Sequence, residues 1–338
     1  MILKNRSKQA SKYNNVPNLI WIAGVMKSGT SWLRDKLVTG NPLVANGPFK
    51  EVSFFLEAEL RHYRMYDHEN EVLSDSHTMT KKYGYVDEVI EQISAQRKLQ
   101  FKNSFLKYYK EWINPPYYEL SEKGFQYYDS FIQDGRKRKY ILDSSVENAM
   151  LSPSTIQRVK DRYPNFKVII LLRDPISRLL SHANMMFANN EDHGGWYKNV
   201  DEFLQGYNAN NHYDHIISNF RSVLDEDQLL IRFHDEITDE PQKLLEEVRD
   251  FIGFPQLNTT MKFPEYHPVN NIEFTAAQKG SAVHKLIDQI EFCVREFPDS
   301  PYPVRWLSRY LNEPQLAYKL SRLNKHGRMY SNTDHLTS

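Results

Sequence analysis

Three observations predict an α/β fold: three layers, helix–sheet–helix, around a central, mostly parallel sheet. Four short apolar runs are continuous rather than alternating, as strands buried on both faces must be. They are LIWIAG (19–24), KYILDSS (139–145), KVIILLRD (167–174) and QLLIRF (228–233). Helix-like segments follow or separate them, over about 30–39, 154–162, 175–188 and 240–252. Punctuation agrees with that division: Pro175 and Pro241 suit first helical turns, while Gly40 and Gly253 suit helix exits. Strands alternating with helices imply crossover connections and hence parallel pairing.

Two regions depart from this rhythm. Residues 56–131 are rich in Tyr, Lys and Glu and read as a largely helical insertion. The region 275–325 also reads as helical, with VHKLIDQIEFCVREF offering an amphipathic spacing. Residues 1–17 form a polar N-terminal tail. The chain from 18 to 338 is therefore expected to be a single decorated domain, with its chemistry-bearing motifs between 18 and 255.

Composition narrows the function classes. The chain has 338 residues with 43 basic and 43 acidic side chains, so no global basic field favours nucleic acid. A lone cysteine, Cys293, excludes an intramolecular disulfide framework. It also weakens any zinc reading, and no H-E-x-x-H or C-x-x-C spacing occurs. No apolar run approaches the roughly 18 residues of a membrane span, and the N-terminus lacks a signal-peptide core. The expected setting is cytoplasmic or otherwise soluble, with a Golgi lumen only if an anchor has been removed.

The sharpest local signal is GVMKSGTSWL (24–33), between the first strand and the first helix. Gly and Ser/Thr at such a corner serve a turn and a helix cap in many proteins. The same residues also suit an anion. Backbone N–H groups of Lys27, Ser28, Gly29, Thr30 and Ser31 can form a concavity at a helix N-terminus. Gly29 permits close approach, Thr30 and Ser31 add hydroxyls, and Lys27 adds a point charge. The order G-x-x-K-x-G-T-S differs from the nucleotide triphosphate loop G-x-x-x-x-G-K-[ST] and lacks the Lys-Ser/Thr pair that positions magnesium. A metal-free phosphate site is expected.

A second corner follows the strand at 167–174. Arg173 stands at the strand's C-terminal end, where ligands bind in open α/β sheets. Ser181 lies eight residues on, about two helical turns away and near the same face. The pair can hold a second phosphate, or serve as a helix cap and a packed serine. Arg178 between them reads as structural.

Together these motifs resemble the sulfotransferases that use 3′-phosphoadenylyl sulfate (PAPS), whose domain is P-loop NTPase-like. The KSGTSW stretch is similar to the 5′-phosphosulfate loop of the cytosolic branch, and the leading GV to the carbohydrate branch. The strand-R-D-P-x-x-R-x-x-x-S pattern is similar to the family's 3′-phosphate motif. The nearest likeness is to the heparan-sulfate or carbohydrate type and to bacterial members. The resemblance covers residues 18–255. It implies PAPS as co-substrate, 3′,5′-adenosine bisphosphate (PAP) as product, and Trp32 near the adenine; a packed indole is the other reading of Trp32.

Sulfuryl transfer needs charge stabilisation at the leaving oxygen and a base for the acceptor hydroxyl. Lys27 is the candidate for the first role. FKEVSFF (49–55) closely resembles the stretch carrying the catalytic Glu in the heparan-sulfate branch, which makes Glu51 the candidate base. His77 is its nearest rival. ILDSSVENAM (141–150) parallels a segment whose lysine assists at the sulfate, but Ser144 stands in that place here. Ser145 is a weaker candidate contact. His234-Asp235-Glu236 stands where cytosolic members carry Tyr-Glu-Asp, so this chain departs from the family at the position whose Tyr lies near the nucleotide. QKG (278–280) and YHP (266–268) compete for the family's late basic loop.

The expected function is thus transfer of the sulfuryl group from PAPS to a hydroxyl of a glycan or small alcohol. Aromatic residues at 108–118 suit either sugar stacking or helix packing. The alternatives are a nucleotide kinase with a divergent phosphate loop, or a non-catalytic phosphoadenosine-binding protein.

Overall fold

The computed structural model describes residues 16–47, 52, 54–56, 58–59, 120–133, 138–188, 197–207, 211–254 and 272–312. Its centre is a five-stranded sheet in the order β2-β3-β1-β4-β5, with every pairing parallel. The strands are β1 (Asn18–Gly24), β2 (Val44–Ala45), β3 (Tyr140–Asp143), β4 (Lys167–Leu172) and β5 (Leu229–Phe233). Four of them are the expected apolar runs. The two-residue edge strand β2 carries no such run and pairs only with Tyr140 and Ile141.

The continuity of the apolar runs has a direct cause. In β1, Leu19, Trp21 and Ala23 face one core cluster while Ile20 and Ile22 face another. In β4, Val168, Ile170 and Leu172 divide from Ile169 and Leu171 in the same way. Side chains alternate between faces, but both faces are covered, so no position is left to be polar.

The thinner layer consists of α1 (Thr30–Val38) and α8 (Pro241–Ile252), which contribute Leu33, Leu37, Leu244, Leu245, Val248 and Ile252. The thicker layer holds α2 (Glu122–Gln133), α3 (Pro153–Arg162), α4 (Pro175–Phe187), α5 (Val200–Gly206) and α6 (Tyr213–Arg221). It is completed by α9 (Ala276–Glu296) and α10 (Pro301–Ser308), whose Leu286, Ile290, Trp306 and Leu307 join the same core. A short helix α7 (His234–Asp239) follows β5.

Helix ends follow the expected chemistry. Ser152 caps α3, with Pro153 at its first position, and Asp174 caps α4 through the N–H groups of Ile176 and Ser177. Gly253 ends α8 in the left-handed region at φ 68°, where the N–H of Phe254 bonds Arg249 O at 2.9 Å.

The described parts of the insertion (54–56, 58–59 and α2) are helical. Phe54 and Phe55 are fully buried, and Phe55 packs on Trp21 with ring centroids 4.8 Å apart. The C-terminal expectation of helix is met through residue 308, with one correction. QKG is not a loop: Gln278, Lys279 and Gly280 lie in the first turns of α9, where Gln278 closes a capping box with Thr275. Among the described residues, no helix is long and apolar enough to cross a membrane.

Candidate functional site

Parallel strands present all their C-terminal ends on one side, and ligands in open α/β sheets bind where the chain's strand order reverses. Here that reversal falls between β1 and β4, which are neighbours with successors on opposite sides. The two corners singled out in the sequence leave the sheet at these two ends.

The first corner begins at a register irregularity between Ile22 and Gly24, after which Gly24 still pairs with Ile170 of β4. Gly24 has φ 146°, and a Cβ there would lie 2.8 Å from the Cβ of Ala149. The N–H of Val25 still bonds Leu171 O, and that of Ser28 turns inward to Val25 O at 3.1 Å. Ser28 therefore spends its amide on the turn, which corrects the expectation that every N–H from Lys27 to Ser31 faces a ligand. Those of Gly29, Thr30 and Ser31 have no backbone acceptor among the described residues.

Gly29 is the N-cap of α1 at φ 87°, and among the described residues no side chain caps that helix. A Cβ at Gly29 would come within 2.3 Å of Ile237 Cδ1 and 3.2 Å of His234 Cδ2. Lys27 is left-handed too, at φ 67°, a conformation that side-chain-bearing residues seldom adopt. The Ser28 hydroxyl is wholly buried and has no hydrogen-bond partner among the described residues. Buried hydroxyls are nearly always bonded, so this one marks a place for an acceptor. Thr30 is buried and Ser31 is exposed. Trp32 is half-buried, packs against the thinner layer's core, and has Lys36 Nζ 5.8 Å over its ring.

The second corner reaches back to the first. Arg173 Nη1 donates to Lys27 O at 2.8 Å, and Lys27 Nζ lies 3.6 Å from Met185 Sδ on α4. The carbonyl of Arg173 accepts from Tyr213 Oη at 2.7 Å. Burial lowers the Arg173 pKa from its usual value, partly offset by Asp174, Tyr213 and Asp235. Ser181 lies half-buried on α4. Arg178 is fully buried and donates to Asn211 Oδ1, while its Nε and Nη1 have no partner among the described residues.

Three further side chains here were not among the candidate site residues: His234, Asp174 and Asp235. His234 sits beside Gly29 and Arg173, and its pKa falls to about 4, first through burial and then through the Arg173 charge. The imidazole is neutral at physiological pH. Asp174, after Arg173, and Asp235, after His234, are both held by the C-terminal segment that follows α10.

Glu51 and His77 lie outside the described residues, as do 108–118 and 266–268. The neighbour of Glu51 is described. The N–H of Val52 donates to Ser145 Oγ at 2.8 Å, and that hydroxyl donates to Asp143 Oδ1 at 2.6 Å. Asp143 also accepts from Ser145 N and Tyr128 Oη, each at 2.8 Å. Burial raises its pKa, and these donors oppose the rise. Ser145 thus ties residue 52 to the C-terminal end of β3. Among the described residues, no group of three or more His, Cys, Asp or Glu is arranged to hold a metal ion.

Two linked corners thus stand at the switch point of a parallel sheet, the place where open α/β folds bind ligands. The chain belongs to the sulfotransferase family, whose model matches residues 17–258. A sulfotransferase from Alicyclobacillus acidocaldarius has a similar fold, with TM-score 0.51 and 17% identity over 83% of this chain and 96% of that one. The sulfotransferase domain of the Synechococcus PCC 7002 olefin synthase is 14% identical over 93% of this chain and 95% of that one, at TM-score 0.45. No curated protein matches the chain significantly.

Proposed function

We propose that this protein transfers the sulfuryl group of PAPS to an acceptor hydroxyl, with a carbohydrate the acceptor class toward which the Glu51 stretch leans. The observation that carries the reading is the link between the corners: Arg173, at the end of β4, bonds the backbone of Lys27 in the loop after β1. A ligand gripped by both must carry two separated anionic groups. The orphaned Ser28 hydroxyl and the uncapped start of α1 fit a phosphate at the first corner. Arg173 and Ser181 suit a phosphate at the second.

When bound, PAPS supplies an activated sulfuryl group on its 5′-phosphate. Lys27 brings a positive charge to the loop where the leaving oxygen gains negative charge. Arg173 fixes the far phosphate and so the direction of the displacement. Glu51 takes the proton released by the acceptor hydroxyl. No metal enters this scheme.

Calorimetric titration tests the two-phosphate grip. PAP is expected to bind far more tightly than AMP, and Arg173→Ala to cost PAP about 10–100-fold in affinity, the range of a lost charged hydrogen bond. Equal affinities for PAP and AMP would sink the reading. Glu51→Ala is expected to lower turnover by about 10²–10⁴ while leaving PAP affinity nearly unchanged, as for loss of a general base. Undiminished turnover would remove Glu51 from the mechanism. Absence of any transfer in the wild type, with PAP still bound, would favour a non-catalytic binder.

A further inference from the structure

The C-terminal segment places a single guanidinium across both strand ends of the candidate site. Arg309 Nη1 donates to Asp174 Oδ2 at 3.2 Å, and its Nη2 to Asp235 Oδ1 at 3.4 Å. Next to it, Tyr310 Oη donates to Asp174 Oδ2 at 2.6 Å, and Trp306 Nε1 donates to Asp235 Oδ2 at 3.0 Å. Asp174 is 1% exposed and directly follows Arg173; Asp235 directly follows His234, whose ring lies against the phosphate loop at Gly29.

Two physical consequences follow. Asp174 and Asp235 both act electrostatically on Arg173, so without a second cation they would compete with any phosphate for its charge. Arg309 occupies both carboxylates and leaves the guanidinium of Arg173 turned to Lys27 O. It also fixes the spacing of the β4 and β5 ends, because its planar fork bonds one carboxylate on each.

We propose that Arg309, supported by Tyr310, is a positioning residue for the second phosphate grip, so that the C-terminal segment sets the preference for a bisphosphate over a monophosphate nucleotide. This assignment rests on the two-phosphate reading above. The Arg309 side chain itself is 43% exposed. Its effect passes through the two aspartates.

The experiment is titration of full-length variants with PAP and with AMP, on samples whose circular dichroism matches the wild type. Arg309→Gln is expected to weaken PAP about tenfold and AMP less than about threefold, on the scale of one charged hydrogen bond. Arg309→Lys should recover part of the loss, because it restores charge but not the fork. Arg309→Gln combined with Asp235→Asn restores the corner's charge balance without the tie, and its PAP affinity should stay low. A folded Arg309→Gln protein with the wild-type PAP-to-AMP ratio would overturn the assignment, as would full recovery in the double variant. If Arg309→Gln does not fold, Tyr310→Phe removes only one hydroxyl from Asp174. It should lower the ratio about threefold, and an unchanged ratio would equally overturn the assignment. A wild type that does not prefer PAP removes the nucleotide reading itself, and this assignment with it.

Discussion

His234 is the residue whose chemistry departs furthest from what its letter suggests. Imidazole ordinarily titrates near 6.5, yet burial and the neighbouring Arg173 bring it to about 4 here. Between those values the unfolded chain takes up a proton that the folded one refuses. This contribution to stability is therefore present above about pH 6.5 and is lost as pH falls toward 4. Asp129 works in the opposite sense: burial raises it to about 6, so the folded form keeps its proton longer and is favoured as pH falls through that range. Comparing His234→Gln with the wild type isolates the histidine. The variant should lose less melting temperature between pH 7 and pH 5 than the wild type does, and parallel losses would refute the assignment. Gly29 was more legible, since a glycine at a strand–helix corner signals close approach. What the sequence did not reveal is that the approaching groups are Ile237 and His234, more than two hundred residues away.

At the scale of elements, legibility tracked burial. β1, β3 and β4 announced themselves because both faces are covered, which leaves uninterrupted apolar runs, whereas β5 is only half-buried before Phe233 and its run admits Arg232. β2 gave no signal because two residues cannot establish a period, and its existence depends on β3 being alongside. Helices with Pro at the start or Gly at the exit were placed to within a residue or two, since those residues act through local backbone geometry. The ties between elements were invisible, as pairing of residues far apart leaves no local pattern. The bond from Val52 N to Ser145 Oγ is one such tie. Ser145→Ala would leave that buried amide without its acceptor and Asp143 without its 2.6 Å donor. A loss of about 1–3 kcal/mol in urea unfolding is expected. A change below about 0.5 kcal/mol, the ordinary effect of a surface substitution, would show that the tie is dispensable.

For the whole molecule, the C-terminal ends of the central strands carry the candidate site, and the segment around α10 braces it. A nucleotide held at β1 and β4 while α10 grips the β4 and β5 ends should stabilise the fold as a unit. PAP at about 100 times its dissociation constant should add about 2.7 kcal/mol, seen as a higher melting temperature, and AMP at the same concentration much less. Equal shifts from both nucleotides would argue against a two-ended grip. The sheet's connectivity also constrains how the protein is made. β1 pairs only with β3 and β4, which begin at residues 140 and 167. During translation its LIWIA run leaves the ribosome with no strand to join until well over a hundred further residues have been added. Nascent chains halted before β4 emerges would carry a sticky, unpaired strand, making this stretch the natural foothold for a chaperone and the first place for truncated products to aggregate.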